Sequence, residues 1–268
     1  MRAVLVFVLL FIAPPVLLRT FAQQARIDRA DQEEFLRQAK VVSNATTELR
    51  RSWRVTLDDG RRQHAASVET VDGTDPTTRN YRFNIAAYEL DKALELGLVT
   101  PSVDRVIDGR PASLTWWIDG IAMNELDRRR KGITPPDADR WNGQMHAVRV
   151  FDELISNTYR DISPPLYLNS VWDNLLITNE WAIWLTDHTA AFRTRQELSY
   201  PESLVRCDRT LLRRLRGLND RLLRDALGTY LSPPQLDALE TRRMKLVKHF
   251  DEQIARRGEA AVLYDLAR

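Results

Sequence analysis

Two oxygen-bearing side chains, Asn174 and Asp187, are spaced so that a β-hairpin brings them together. Leu175 to Thr178 and Trp181 to Leu185 read as strands around a turn at Asn179-Glu180. Counting from that turn sets Thr178 opposite Trp181 and Asn174 opposite Leu185. Asp187 then lies about two residues from Asn174 along the neighbouring strand, roughly 7 Å at strand rise. An amide oxygen and a carboxylate at that separation can share a hard cation. Mg²⁺ takes oxygen ligands and fills its remaining positions with water and phosphate. The competing reading is structural: Asn174 caps a strand and Asp187 caps a turn.

Other catalytic chemistries find less support. The four histidines, at 64, 146, 188 and 249, lack metalloprotease spacing. His188 reads as a structural residue after Asp187, and His64 and His146 as surface or core-edge residues. No Gly-x-Ser-x-Gly elbow accompanies Asp187-His188. A single cysteine, Cys207, excludes an internal disulfide and a cysteine-rich zinc site. Trp116, Trp117, Trp181 and Trp184 are expected in the core rather than on a carbohydrate platform.

The elements that must carry Asn174 and Asp187 follow from hydrophobic period and turn residues. Residues 27 to about 42 read as an amphipathic helix. Trp53 to Leu57 and His64 to Val71 are extended, around the Asp58-Asp59-Gly60 turn. Tyr81 to Leu96 is the clearest helix, with Phe83, Ala86, Ala87, Leu90 and Leu94 on one face and Gly97 as its stop. A second hairpin, Val103 to Ile107 and Ala112 to Ile118, turns at Asp108-Gly109. Asp137 caps a long helix that delivers the chain to Asn157. From about residue 203 the pattern is helical, punctuated by Ser232-Pro233-Pro234. Helices alternating with antiparallel hairpins imply an α+β fold.

Five phrases carry a resemblance. They are Phe83-Asn84-Ile85-Ala86-Ala87-Tyr88-Glu89-Leu90-Asp91-Lys92, Leu98-Val99-Thr100-Pro101-Ser102-Val103, Thr115-Trp116-Trp117, Val148-Arg149-Val150-Phe151-Asp152-Glu153-Leu154-Ile155 and Trp184-Leu185-Thr186-Asp187-His188-Thr189. Over residues 35 to 250 the chain resembles an exported bacterial kinase-like family. That family belongs to the atypical protein-kinase-like superfamily, with phosphoinositide kinases, HipA-type kinases and secreted casein-phosphorylating kinases. The resemblance implies a two-lobed fold. Residues 23–120 would form a small antiparallel-sheet lobe with an αC-like helix at 81–96. Residues 121–268 would form a mostly helical lobe bearing the hairpin 174–187. It also implies ATP and Mg²⁺ as cofactors, with Asn174 and Asp187 on the metal.

Three departures from the family pattern bear on catalysis. Asn157-Thr158-Tyr159-Arg160-Asp161 stands where the family reads Asn-Thr-Asp-Arg-Asn, so Tyr159 replaces the family's Asp. Tyrosine, with an ordinary pKa near ~10, is a poor base at neutral pH; Asp161 is the substitute candidate, with Asn157 and Arg160 beside it. Ile162 to Trp172 inserts an apolar stretch that reads as a lid over the site or as a contact surface for a protein partner. The strand that should present a phosphate-binding lysine, His64 to Val71, has none, and Asn84 replaces the helix's usual Glu; Glu69 and Asn84 stand with Asn174 and Asp187 as the cofactor-binding candidates. The lysines are at 40, 92, 131, 245 and 248, none in an expected strand. The resemblance therefore implies a catalytically impaired, nucleotide-binding or interaction domain. The alternatives are an active phosphotransferase and a binding protein that never meets nucleotide.

The N-terminus opens on Met1-Arg2, an apolar run from Ala3 to Leu18, and Thr20-Phe21-Ala22. This reads as a signal peptide over 1–22 and predicts an exported protein, periplasmic or extracellular. The run is short for a membrane span and broken by Pro14-Pro15, so a membrane role requires that it stay uncleaved. Removing residues 1–22 takes away Arg2 and Arg19 and no acid, leaving 37 basic against 37 acidic residues. A neutral chain with interleaved charges such as Asp127-Arg128-Arg129-Arg130 argues against a nucleic-acid partner.

Overall fold

A computed structural model describes residues 21–44, 52–71, 79–157 and 172–266. Helix α1 (Phe21–Gln38) leads into a five-stranded antiparallel sheet of β1 (Lys40–Asn44), β2 (Ser52–Asp58), β3 (Gln63–Glu69), β4 (Ser102–Ile107) and β5 (Arg110–Trp116). The strand order is β1-β2-β3-β5-β4, and helix α2 (Arg82–Leu94) falls between β3 and β4 in sequence. Alternation builds one face of the sheet: Trp53, Val55 and Leu57 of β2 are buried with Ala66 and Val68 of β3. They pack with Phe35, Leu36 and Ala39 of α1. The β4–β5 turn is set by Asp108 and Gly109, both at positive φ (51° and 75°), as a two-residue hairpin of type I′ requires.

The rest is mostly helical. Strand β6 (Ile121–Asn124) and short helix α3 (Glu125–Arg130) precede α4 (Ala138–Ile155). Then come β7 (Leu175–Thr178), β8 (Ile183–Leu185), β9 (Cys207–Asp208), α5 (Arg209–Gly217), α6 (Asp220–Leu227), α7 (Pro233–Arg257), α8 (Glu259–Val262) and β10 (Leu263–Tyr264). Strands β6, β7 and β8 form a second sheet, and β9 and β10 a parallel pair. The larger core joins α2, α4, β7, β8 and α5 to α7. Asp137 caps α4 by accepting from Arg140 N, and Ser232 with Gln235 forms a capping box on α7.

One buried carboxylate organises the join between sheet and helices. Asp91 accepts from the backbone N–H groups of Leu98 (2.8 Å) and Val99 (3.2 Å). Arg29 of α1 donates to the same carboxylate at 2.8 Å and to Val99 O at 2.7 Å. Leu185 N in turn donates to Leu98 O at 2.8 Å, so the segment after α2 is fixed to β8.

Several expectations change. The first helix stops at Gln38, and Lys40–Asn44 pairs with β2 as an edge strand; the β-branched pair Val41-Val42 suits a strand better than a helix. Lys40 therefore does lie in a strand, although on the sheet's edge and not on β3. Glu95, not Gly97, is the left-handed cap of α2 (φ 54°). The charge run at 127–130 belongs to α3, where Arg128 and Arg129 both donate to the buried carboxylate of Glu125. Trp116 and Trp181 are half-buried and pack against the two cores, whereas Trp117 is 39% exposed. Trp53 and Trp141 are the buried indoles among the described residues.

Candidate functional site

The β7–β8 hairpin is built differently from the simple count. Thr178 N donates to Ala182 O at 3.0 Å, and Trp181 N to Thr178 O at 3.0 Å. The loop thus holds three residues, Asn179, Glu180 and Trp181, with Trp181 left-handed at φ 60°. The register moves by one: Leu175, not Asn174, faces Leu185. Trp181 is held there by Gln144 Nε2 on its carbonyl (2.9 Å) and by edge contact with Trp141. The shift sets Asn174 O to accept from Thr186 N at 3.0 Å. Asp187 follows in a left-handed conformation (φ 48°), and Asn174 Nδ2 lies 3.5 Å from Asp187 Oδ2. The structure brings the two side chains together, with the amide nitrogen facing the acid.

Both oxygens of Asp187 are engaged. Oδ1 accepts from Thr189 Oγ1 (2.5 Å) and Thr189 N (3.2 Å). Oδ2 forms an ion pair with Arg79 Nη2, and Arg79 Nε donates to Thr189 Oγ1 at 2.8 Å. Burial alone would push the Asp187 carboxyl up; the Thr189 hydroxyl and Arg79 outweigh it and hold it below the usual carboxylate range. Arg79 escaped the sequence reading because it precedes α2, 108 residues from its partner, where no motif draws the eye. A signal was present in the missing strand lysine: an acid with no cation on β3 needs one from elsewhere.

Glu69, at the end of β3, accepts from Val71 N at 3.1 Å. Desolvation, together with the Asp187 charge, raises its carboxyl to about 7. Asn84 is buried on α2; its Oδ1 accepts from His188 N at 2.8 Å and its Nδ2 donates to Ser113 Oγ at 3.1 Å. It therefore links α2 to the residue after Asp187 and to β5. His188 is buried edge-on against Phe151 of α4. Asn157 sits just past α4, buried, with Nδ2 donating to Asp152 Oδ1 at 3.1 Å. Tyr159, Arg160, Asp161 and the apolar stretch through Val171 lie outside the described residues.

Asn174 and Asp187 together offer a divalent ion two side-chain ligands, with water and phosphate oxygens needed to complete its shell. No group of three His, Cys, Asp or Glu residues converges among the described residues. The one well-placed carboxylate already carries a guanidinium on Oδ2 and the Thr189 donors on Oδ1. The resident cation of this arrangement is Arg79.

The chain shares its fold with solved kinase structures. No protein-family model matches the chain, and no curated protein matches its sequence. Among the solved structures that share its architecture are the following three. Hydra Fam20, solved with sugar, superposes with a TM-score of 0.60 at 13% identity, over 89% of this chain and 93% of that one. The Golgi casein kinase gives 0.58 at 12% identity, over 93% of this chain and 80% of that one. The Helicobacter pylori proinflammatory kinase CtkA gives 0.50 at 10% identity, over 81% and 96%. The α+β class expected from sequence is the class found.

Proposed function

We propose that this chain is an exported kinase-like protein that binds a nucleotide's phosphates at the Arg79–Asp187 pair and is impaired in phosphoryl transfer. The observation that carries the reading is the Arg79 guanidinium seated on Asp187. Phosphoryl transfer depends on positioning and on positive charge at the phosphate oxygens. Arg79 is half exposed at the site and can turn its remaining donors to a phosphate. A divalent ion, when bound, would supply further charge at those oxygens, but it competes with Arg79 for Asp187. Impairment follows from Tyr159 in place of the family's Asp, since a positioned base contributes ~10²–10⁴-fold. The apolar stretch 162–172 is the surface we assign to a protein partner. Export rests on the N-terminal pattern, and no helix among the described residues is long and apolar enough to cross a membrane.

The test is ATP binding by calorimetry with and without Mg²⁺, alongside transfer of labelled γ-phosphate. Wild type should bind ATP with little dependence on Mg²⁺ and transfer little. Arg79→Ala should weaken metal-free binding and make the remainder depend on Mg²⁺. Absence of ATP binding to wild type under either condition would overturn the nucleotide reading. Efficient transfer that is lost in Asp161→Asn would overturn impairment. Intact mass checks export: exported material should begin near Gln23, and retention of Met1 refutes cleavage.

A further inference from the structure

A second cluster of charge gathers where α4 meets β9 and β10. His146 and Arg149 project from α4, Arg206 precedes β9, and the Tyr264 ring of β10 lies between them. Arg149 Nη1 is 3.3 Å from His146 Nδ1. The His146 and Tyr264 rings are 6.0 Å apart, and the Arg206 guanidinium stands 5.3 Å over the Tyr264 ring. Arg149 Nε is buried and has no hydrogen-bond partner. Among the described residues neither arginine makes an ion pair. Their other cation neighbour is Arg129, which acts on Arg149 through its charge.

This is an expensive arrangement. A cation taken out of water loses several kcal/mol of solvation unless an opposite charge compensates it. A buried N–H without an acceptor adds its own penalty. We propose that Arg149 and Arg206 form a binding site for a small tetrahedral oxyanion, phosphate or sulfate, next to His146. Arg149 would donate Nε and its free Nη2 hydrogens, and Arg206 would close the site from the solvent side. Tyr264 OH is already committed to Gly143 O at 2.6 Å, which fixes the ring as the floor. The surroundings agree with a site arranged for an anion. Burial and the charges of Arg149 and Arg206 push the His146 imidazole down to about 4, so it stays neutral and accepts from Arg149 at neutral pH. An oxyanion here would pin β10, and through it the β9 pair, onto α4.

The experiment uses the full chain and inorganic phosphate at constant ionic strength. Phosphate should raise the melting temperature of wild type, as any ligand of the folded state does, and shift the His146 imidazole resonances in NMR. Arg206→Met, at an exposed position, should keep the fold and weaken phosphate by about tenfold, the loss expected for one charge-assisted hydrogen bond. Arg149→Met should abolish the His146 response and, with its uncompensated charge gone, melt no lower than wild type in phosphate-free buffer. Arg79→Ala separates this site from the nucleotide site and should leave the His146 response intact. A wild type indifferent to phosphate, or a response that survives Arg149→Met and Arg206→Met but vanishes in Arg79→Ala, would overturn the proposal.

Discussion

The Asn84 side-chain oxygen accepts the His188 backbone N–H at 2.8 Å, so α2 grips the chain one residue past Asp187. This side chain of α2 thereby holds the backbone of the acid-bearing segment. Asn84→Leu should leave the buried His188 N–H and the Ser113 hydroxyl without their partner. The expected loss is about 1–3 kcal/mol of stability, read as a lowered midpoint in urea. Asn84→Asp keeps the acceptor but buries a charge without a cation, and should lose at least as much.

Glu69 predicts an unusual pH dependence. Its folded carboxyl is raised from the ordinary 4.5 to about 7, first by burial. A raised acid favours the protonated folded form, so its contribution is fully present below the unfolded pKa. That contribution is lost as pH climbs through the folded one. Wild type should therefore lose stability relative to Glu69→Gln between about pH 4.5 and 7, and the gap should stay constant above that window. Asp187, held low, has the opposite sign and acts only at more acid pH. Melting temperatures of both proteins across pH 4 to 8 decide it; parallel curves would count against a raised Glu69.

Ser156 caps α4 in a left-handed conformation, φ 53°, just before Asn157. A non-glycine residue pays roughly 1–2 kcal/mol there. Ser156→Gly should raise stability by about 1 kcal/mol, seen as a higher melting temperature. A decrease would mean that the buried Ser156 side chain contributes more than its backbone costs.

On the proposed reading, Tyr159 and Arg79 are the two obstacles to phosphoryl transfer. On that reading Tyr159→Asp would supply a base but leave Arg79 on Asp187. The double variant Arg79→Ala, Tyr159→Asp removes both obstacles. It should transfer labelled phosphate up to ~10²–10⁴-fold faster than Arg79→Ala alone, about 3–5 kcal/mol of barrier. Equal rates in the two would show that Tyr159 is not what limits transfer.

What the sequence could and could not convey follows the range of the interactions. Asp108-Gly109, the face of α2 and the caps Asp137 and Ser232 are local signals, and each sits where those signals place it. The β7–β8 register slipped by one because a tryptophan, held by Gln144 and Trp141, occupies a backbone conformation that composition would assign to glycine. Strand β6 went unread because four residues, Ile121–Asn124, run straight into charge and pair only with β7. Arg79 is the largest omission, since an ion pair across 108 residues leaves no spacing to count.

The contact between Arg29 and Asp91 has a consequence for descent. Asp91 is wholly buried and holds Leu98 and Val99, while Arg29 is its single ionic partner among the described residues. Losing either alone strands a charge, at a cost of about 3–5 kcal/mol. Lineages of this protein should therefore change the two positions together or not at all. A relative that lacks an arginine equivalent to Arg29 should also lack the acid, and should fasten the strand after α2 by some other means.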